Sequence, residues 1–170
     1  NLSPLSQPSQ FTSATDAGAN DTTATVGGWY FTEANPKKWD VHWFILPITA
    51  DDHPWAYDNT TPQQRIASLE LYGTMILLKH VGQSNLQGST TIPIKTDNMG
   101  NAYNVLNFKA KKWPSYGILL EMALQSYWDH KRTAISHTPR ELNTWADQLT
   151  HRDSSGFDPA KEVKIDPSTM

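Results

Sequence analysis

The alternation of apolar and polar positions predicts a strand-rich first third followed by helices interleaved with two short strands. Residues 26–32 and 39–48 are rich in aromatic and β-branched side chains and are parted by the turn-like EANPKK, so both read as strands. Residues 10–16 carry a thinner strand signal, Phe11 among Ser, Thr and Ala, which these neighbours make the first strand of an antiparallel meander. The stretch 49–61 is long for a bare connection and reads as a packed loop, with a functional insertion as the other reading. Thr61-Pro62 then opens a helix that runs to about His80. TIPIKTD is a short strand, and its Pro93 points to a sheet edge or a strand start. Residues 98–107 and 114–130 read as helices, 132–136 as the last strand. Thr138-Pro139-Arg140-Glu141 is a capping box, after which Leu142, Trp145, Ala146 and Leu149 repeat as one buried helix face. The order β-β-β-α-β-α-α-β-α predicts an α/β domain with helices layered on a mixed sheet.

Length and composition fit one domain: 170 residues, with 38% of them apolar, are enough for a core. The net charge of −3 argues against a uniformly basic surface, so any nucleic-acid footprint must be local. With no cysteine, thiolate chemistry is excluded. No apolar run approaches a membrane span, and no partner membrane is expected. The polar stretches 1–9 and 153–170 read as a flexible linker and a polar tail around a domain at 10–152, in keeping with a piece of a longer polyprotein.

Four carboxylates stand out. Glu70 shares the inward stripe of its helix with Ile66, Gly73 and Leu77; it either reaches solvent at the stripe's edge or meets a cation or metal, because an isolated buried charge is costly. Gly73 permits close approach of helix and sheet. Asp16 and Asp97 each close a strand, where a turn or a helix cap is the plain reading and an exposed working group the other. Asp147 lies inside its helix without the excuse of a cap. Taken together, four acids suit two hard divalent ions, which prefer oxygen ligands and need several carboxylates to offset their charge.

The segments TDAG, ASLEL, KTDNMGNAY and SHTPRELNTWADQLTHRD resemble the four successive active-site segments of the ribonuclease H family, above all the domains that follow reverse transcriptase in retroelement polyproteins of the LTR and DIRS type. The likeness spans residues 10–152. Its most specific part is the spacing of His137, Asn143 and Asp147. The resemblance implies a ribonuclease H-like fold with a five-stranded mixed sheet, three antiparallel strands then two parallel ones. It implies that Asp16, Glu70, Asp97 and Asp147 hold two Mg²⁺, replaceable by Mn²⁺, that His137 moves a proton, and that an RNA/DNA hybrid is cut in its RNA strand. Asn143, Gln64, Asn98 and Asn101 would contact substrate. Lys109, Lys111, Lys112 and Trp113 would track the DNA strand, unless they merely form a solvated helix junction. Ile66, Ala67, Ser68 and Met99 depart from the polar groups common at their places, which bears on strand recognition and leaves the metal ligands intact. A linked reverse transcriptase, a monomeric isolated domain and an intracellular setting follow from the same likeness. The rival readings are a non-catalytic scaffold of a polymerase and another nuclease of this fold that acts on DNA.

Overall fold

The computed structural model describes residues 12–32, 36–82, 90–96, 114–129, 131–137 and 143–169. Three strands, β1 (Thr12–Ala19), β2 (Ala24–Phe31) and β3 (His42–Ile48), form the antiparallel meander, with Asp16 opposite Gly27 and Trp29 opposite Trp43. Two more, β4 (Thr90–Thr96) and β5 (Lys131–His137), run parallel to β1, giving the order β3-β2-β1-β4-β5. The helices are α1 (Ile66–Gly82), α2 (Ser115–Asp129) and α3 (Thr144–Thr150). The helix expected at 98–107 lies outside the described residues, as does the capping box at 138–141.

Two apolar layers flank the sheet. On one face Val26, Phe44, Leu46 and Ile48 pack against α1 and α2 through Leu69, Leu77, Ile118 and Met122. On the other face Val41, Trp43, Leu149 and Phe157 form a smaller cluster under α3. Each large aliphatic side chain so buried contributes about 1.5–3 kcal/mol. β1 reads thinly in the sequence because helices lie on both of its faces and only small residues leave room for them: Ala14 and Ala17 are buried, and Ser13 and Thr15 nearly inaccessible. Gly73 provides the close approach foreseen for it, since a Cβ there would stand 2.7 Å from Val26 Cγ1.

Three features differ from the expectations. Pro93 does not mark an edge, because β4 lies between β1 and β5; its long ladder is with β5, while β1 meets it at Ala14 opposite Lys95, two residues past the proline. Asp16 falls within β1 rather than at its end, because pairing with β2 continues through Ala19 opposite Ala24. Residues 153–169, read as a polar tail, are a strap. Phe157 is buried against Trp43, the Trp43 indole donates to Asp158 O at 2.9 Å, and Val163 N–H donates to Trp43 O at 2.7 Å. The loop 49–61 is packed: His53 and Ala56 are buried, and His53 Nε2 lies 3.0 Å from the Tyr72 hydroxyl.

Candidate active site

The site grows from the middle of β1. Asp16 is 4% exposed, and its Oδ1 accepts the N–H of Ala17 at 2.9 Å. Side chains alternate along a strand, and Thr15 faces α1, its Oγ1 3.4 Å from Thr74 Oγ1. Asp16 therefore faces the opposite layer, that of α3.

Three contacts seat α3 on that layer. Asn143, just before the helix, donates its side-chain amide to Thr15 O at 3.3 Å. Leu149 occupies the space over Gly27, where a Cβ would stand 2.7 Å from the Leu149 Cβ, and Thr150 packs over Gly18. Asp147 is four residues past Asn143 and three before Thr150, so it shares their stripe of the helix. Its side chain is half-exposed, with Oδ2 3.7 Å from His151 Nε2.

Glu70 arrives from the other face. The Gln63 N–H donates to Asn20 O at 3.2 Å, which anchors the approach to α1 at the C-terminal end of β1. The Thr15–Thr74 contact further along then shows that α1 runs antiparallel to β1. Glu70, one turn or about 5.4 Å before Thr74, comes level with residues 16–17 of β1. It is 5% exposed, and its carbonyl accepts the Thr74 hydroxyl at 3.3 Å.

Asp16 thus faces the α3 side of the sheet, Asp147 lies on α3 itself, and Glu70 belongs to α1 on the other side at about the same level of β1. Among the described residues no three His, Asp or Glu side chains stand close enough together to hold an ion. Asp97 follows the last residue of β4 in sequence and lies outside the described residues, together with Asn98, Asn101, Lys109, Lys111, Lys112 and Trp113. His137 is the last residue of β5. Gln64 is exposed, its Oε1 accepting from Thr60 Oγ1 at 3.1 Å. Asn143 is 3% exposed, and its amide serves the seat of α3. As a donor set, carboxylate oxygens of which two are almost wholly buried suit hard divalent cations, since a cation offsets charge that burial makes costly.

Two groupings escaped the sequence reading. A cleft of about 330 Å³ beside the site is lined by Gly18, Asn20, Thr23, Thr25, Thr150 and Arg152, among others. Its only sequence signal is His151-Arg152 directly after the last helix. On the α1 side, His53, Trp55 and Tyr72 pack edge to face with centroids 5.2–6.1 Å apart. Burial holds the His53 pKa below its ordinary value, and burial followed by the Asp52 charge pushes the Tyr72 phenol up to about 12. The paired aromatics of HPW at 53–55 were the available hint.

No family model and no curated protein matches the sequence. Solved structures do match, and they give the fold: it is ribonuclease H-like. The chain is similar to LC11-RNase H1, a protein isolated from compost by a metagenomic approach and also solved in complex with an RNA/DNA hybrid. Against that complex the TM-score is 0.62 at 16% identity, covering 84% of this chain and 95% of the other. RNase H1 from the halophilic archaeon Halobacterium salinarum gives 0.56 at 12% identity, with 84% and 95% covered. A foamy viral protease-reverse transcriptase, solved with an RNA/DNA hybrid, gives 0.54 at 14% identity, covering 86% of this chain and 20% of that longer one.

Proposed function

We propose that this domain is a metal-dependent ribonuclease H that hydrolyses the RNA strand of RNA/DNA hybrids endonucleolytically, within a retroelement polyprotein that also carries a reverse transcriptase. What supports the reading is the ribonuclease H-like fold, with Asp16 and Glu70 almost wholly buried on β1 and α1, and with α3, which carries Asp147, seated on β1 through Asn143. The complete sheet of the family, three antiparallel strands and two parallel ones, belongs to the same reading, as does Asp97 as fourth ligand.

Two Mg²⁺ ions, or Mn²⁺ in their place, held by these four carboxylates would supply activation of water and stabilisation of the leaving 3′ oxygen. The chain's own residues do the rest. Asn143 holds α3, and so Asp147, against β1. His137 passes a proton to or from the reacting oxygens near neutral pH. Gln64, Asn98 and Asn101 contact the minor groove, where 2′-hydroxyls mark the RNA strand. Lys109, Lys111, Lys112 and Trp113 follow the backbone of the DNA strand.

The test is cleavage of end-labelled RNA/DNA hybrid, single strands and both duplexes, with Mg²⁺, Mn²⁺ or chelator. The RNA of the hybrid should be cut internally and only with metal. Equal cutting of DNA would assign another nuclease of this fold. No cutting of any substrate, with hybrid still bound, would assign a polymerase scaffold.

A further inference from the structure

The end of α3 carries an arginine where a glycine is the ordinary residue. Arg152 N–H donates to Leu149 O at 3.0 Å and Asp153 N–H to Gln148 O at 3.3 Å, the paired bonds that close a helix through a left-handed residue. Arg152 is that residue, at φ +58°. A side chain there is strained, and glycine is the residue that backbone stability alone would select. From that position the side chain reaches back across the sheet, where its Nε donates to Thr25 Oγ1 of β2 at 3.0 Å. That bond fixes the root of the guanidinium and leaves its two terminal nitrogens to point elsewhere. Among the described residues no carboxylate forms an ion pair with Arg152.

The cleft that Arg152 lines is a place for an anion. Its other polar walls are the hydroxyls of Thr23, Thr25 and Thr150, the Asn20 amide and the His151 ring, and among the described residues no carboxylate lines it. Thr23 and Thr150 already donate their hydroxyls to Asn20 Oδ1 at 3.1 Å and to Asp147 O at 2.6 Å, whereas Thr25 accepts from Arg152 and keeps its own proton to give, so a planar guanidinium beside the Thr25 hydroxyl is the phosphate-binding chemistry of the cleft. The cleft is also in register with the candidate site, since Gly18 lies two residues past Asp16 on β1 and Thr150 three past Asp147 on α3. Resting on the reading of that site as a hybrid nuclease, we propose that Arg152 and the threonine-lined cleft bind a backbone phosphodiester of the nucleic-acid strand that flanks the cut bond. The cleft thereby sets the register of the strand over the carboxylates.

The experiment measures binding of a fluorescent RNA/DNA hybrid across a series of salt concentrations, with chelator present so that nothing is cut, alongside melting temperatures. Arg152→Gly should bind roughly tenfold more weakly at low salt, the scale of one charge-assisted hydrogen bond. Its log–log salt slope should be shallower by about 0.7–0.9, the loss of one phosphate contact. Its melting temperature should be unchanged or higher, since glycine suits the backbone. Arg152→Lys should keep most of the slope and recover part of the affinity. A lower melting temperature with an unaltered slope would make Arg152 a structural residue and overturn the proposal. So would stabilisation by inorganic phosphate with hybrid binding insensitive to Arg152→Gly, which would assign the cleft to a small anion. Wild-type protein that binds no hybrid would sink the nuclease reading and this one together. Wild-type protein that binds hybrid with an Arg152-dependent slope but never cuts it would sink only the nuclease reading.

Discussion

The side-chain amide of Asn143 donates to the backbone carbonyl of Thr15 at 3.3 Å, joining the start of the last helix to the first strand across 128 positions of sequence. Thr15 precedes Asp16, and Asn143 precedes Asp147 by one helical turn. The bond therefore sets how α3 lies over β1. Asn143→Ala should cost about 1–3 kcal/mol, because it leaves a buried carbonyl without its donor. Cleavage should fall with it while the KM for hybrid stays near the wild-type value. Urea titration and steady-state kinetics test this, and a large rise in KM with unchanged kcat would return Asn143 to the role of a substrate contact.

Gly27 is the residue whose missing side chain admits α3. A Cβ there would meet Leu149 Cβ at 2.7 Å and the backbone of Leu149 and Thr150 at 3.1 Å. Backbone atoms cannot swing aside, so Gly27→Ala should displace the helix and destabilise the fold by about 1–3 kcal/mol. Activity should drop beyond what the loss of folded protein accounts for, as measured on samples corrected by circular dichroism. Wild-type activity and stability in this variant would contradict the close seating.

Metal holding and proton transfer should fail differently. Asp97→Asn removes a charge that offsets a cation, so Mg²⁺ affinity by calorimetry and turnover should fall together by orders of magnitude. His137→Ala should keep metal and hybrid binding, lower turnover by about 10²-fold and flatten the pH profile near neutrality. Full activity of His137→Ala with normal Mg²⁺ binding by Asp97→Asn would reject both roles.

Acid should weaken the fold before its carboxylates protonate. Burial holds His42, His53 and His80 below the ordinary histidine value of 6.5, with the Lys161 charge also acting on His42 and the His42 charge on His80. The unfolded chain takes up protons near pH 6.5 that the folded one resists, so this stability is whole above that pH. It is lost progressively as pH falls from there towards the depressed folded values. The melting temperature should decline between about pH 7 and pH 5.5, and His80→Gln, which removes the partner of the Tyr30 hydroxyl at 2.9 Å, should soften the decline. A flat profile over that range would remove the buried-histidine account.

The strap should be costly to lose. Phe157 is 2% exposed, against Trp43 at a centroid distance of 5.7 Å, and Lys161 Nζ reaches Asp40 O at 3.1 Å. Phe157→Ala should destabilise by about 3–5 kcal/mol, the usual cost of emptying a buried aromatic site. A chain ending at residue 153 should fare worse. Chemical denaturation that finds the shortened chain as stable as the full one would make the segment a dispensable tail.

The strands at 24–31 and 42–48 were legible because aromatic and β-branched residues alternate there with the period of the pleat, and Gly73 because a glycine on an inward helix stripe has few other uses. β1 was faint because packing on two faces selects small residues, which look like loop. The strap was missed because its grip comes from one buried phenylalanine, indole and lysine contacts and main-chain bonds to distant residues, and none of these has a period.

Sequence by itself determined most of the described strands and helices and named the candidate acids, since periodicity and residue chemistry are local properties that need no knowledge of what lies across the fold. Tertiary structure alone decided that Asp16 lies buried inside β1, that Asn143 holds a helix in place, and that Arg152 turns towards Thr25. Those relationships join residues tens to more than a hundred positions apart. They depend on which atoms are missing at Gly27 and Gly73, and close packing transmits that information only once the chain has folded.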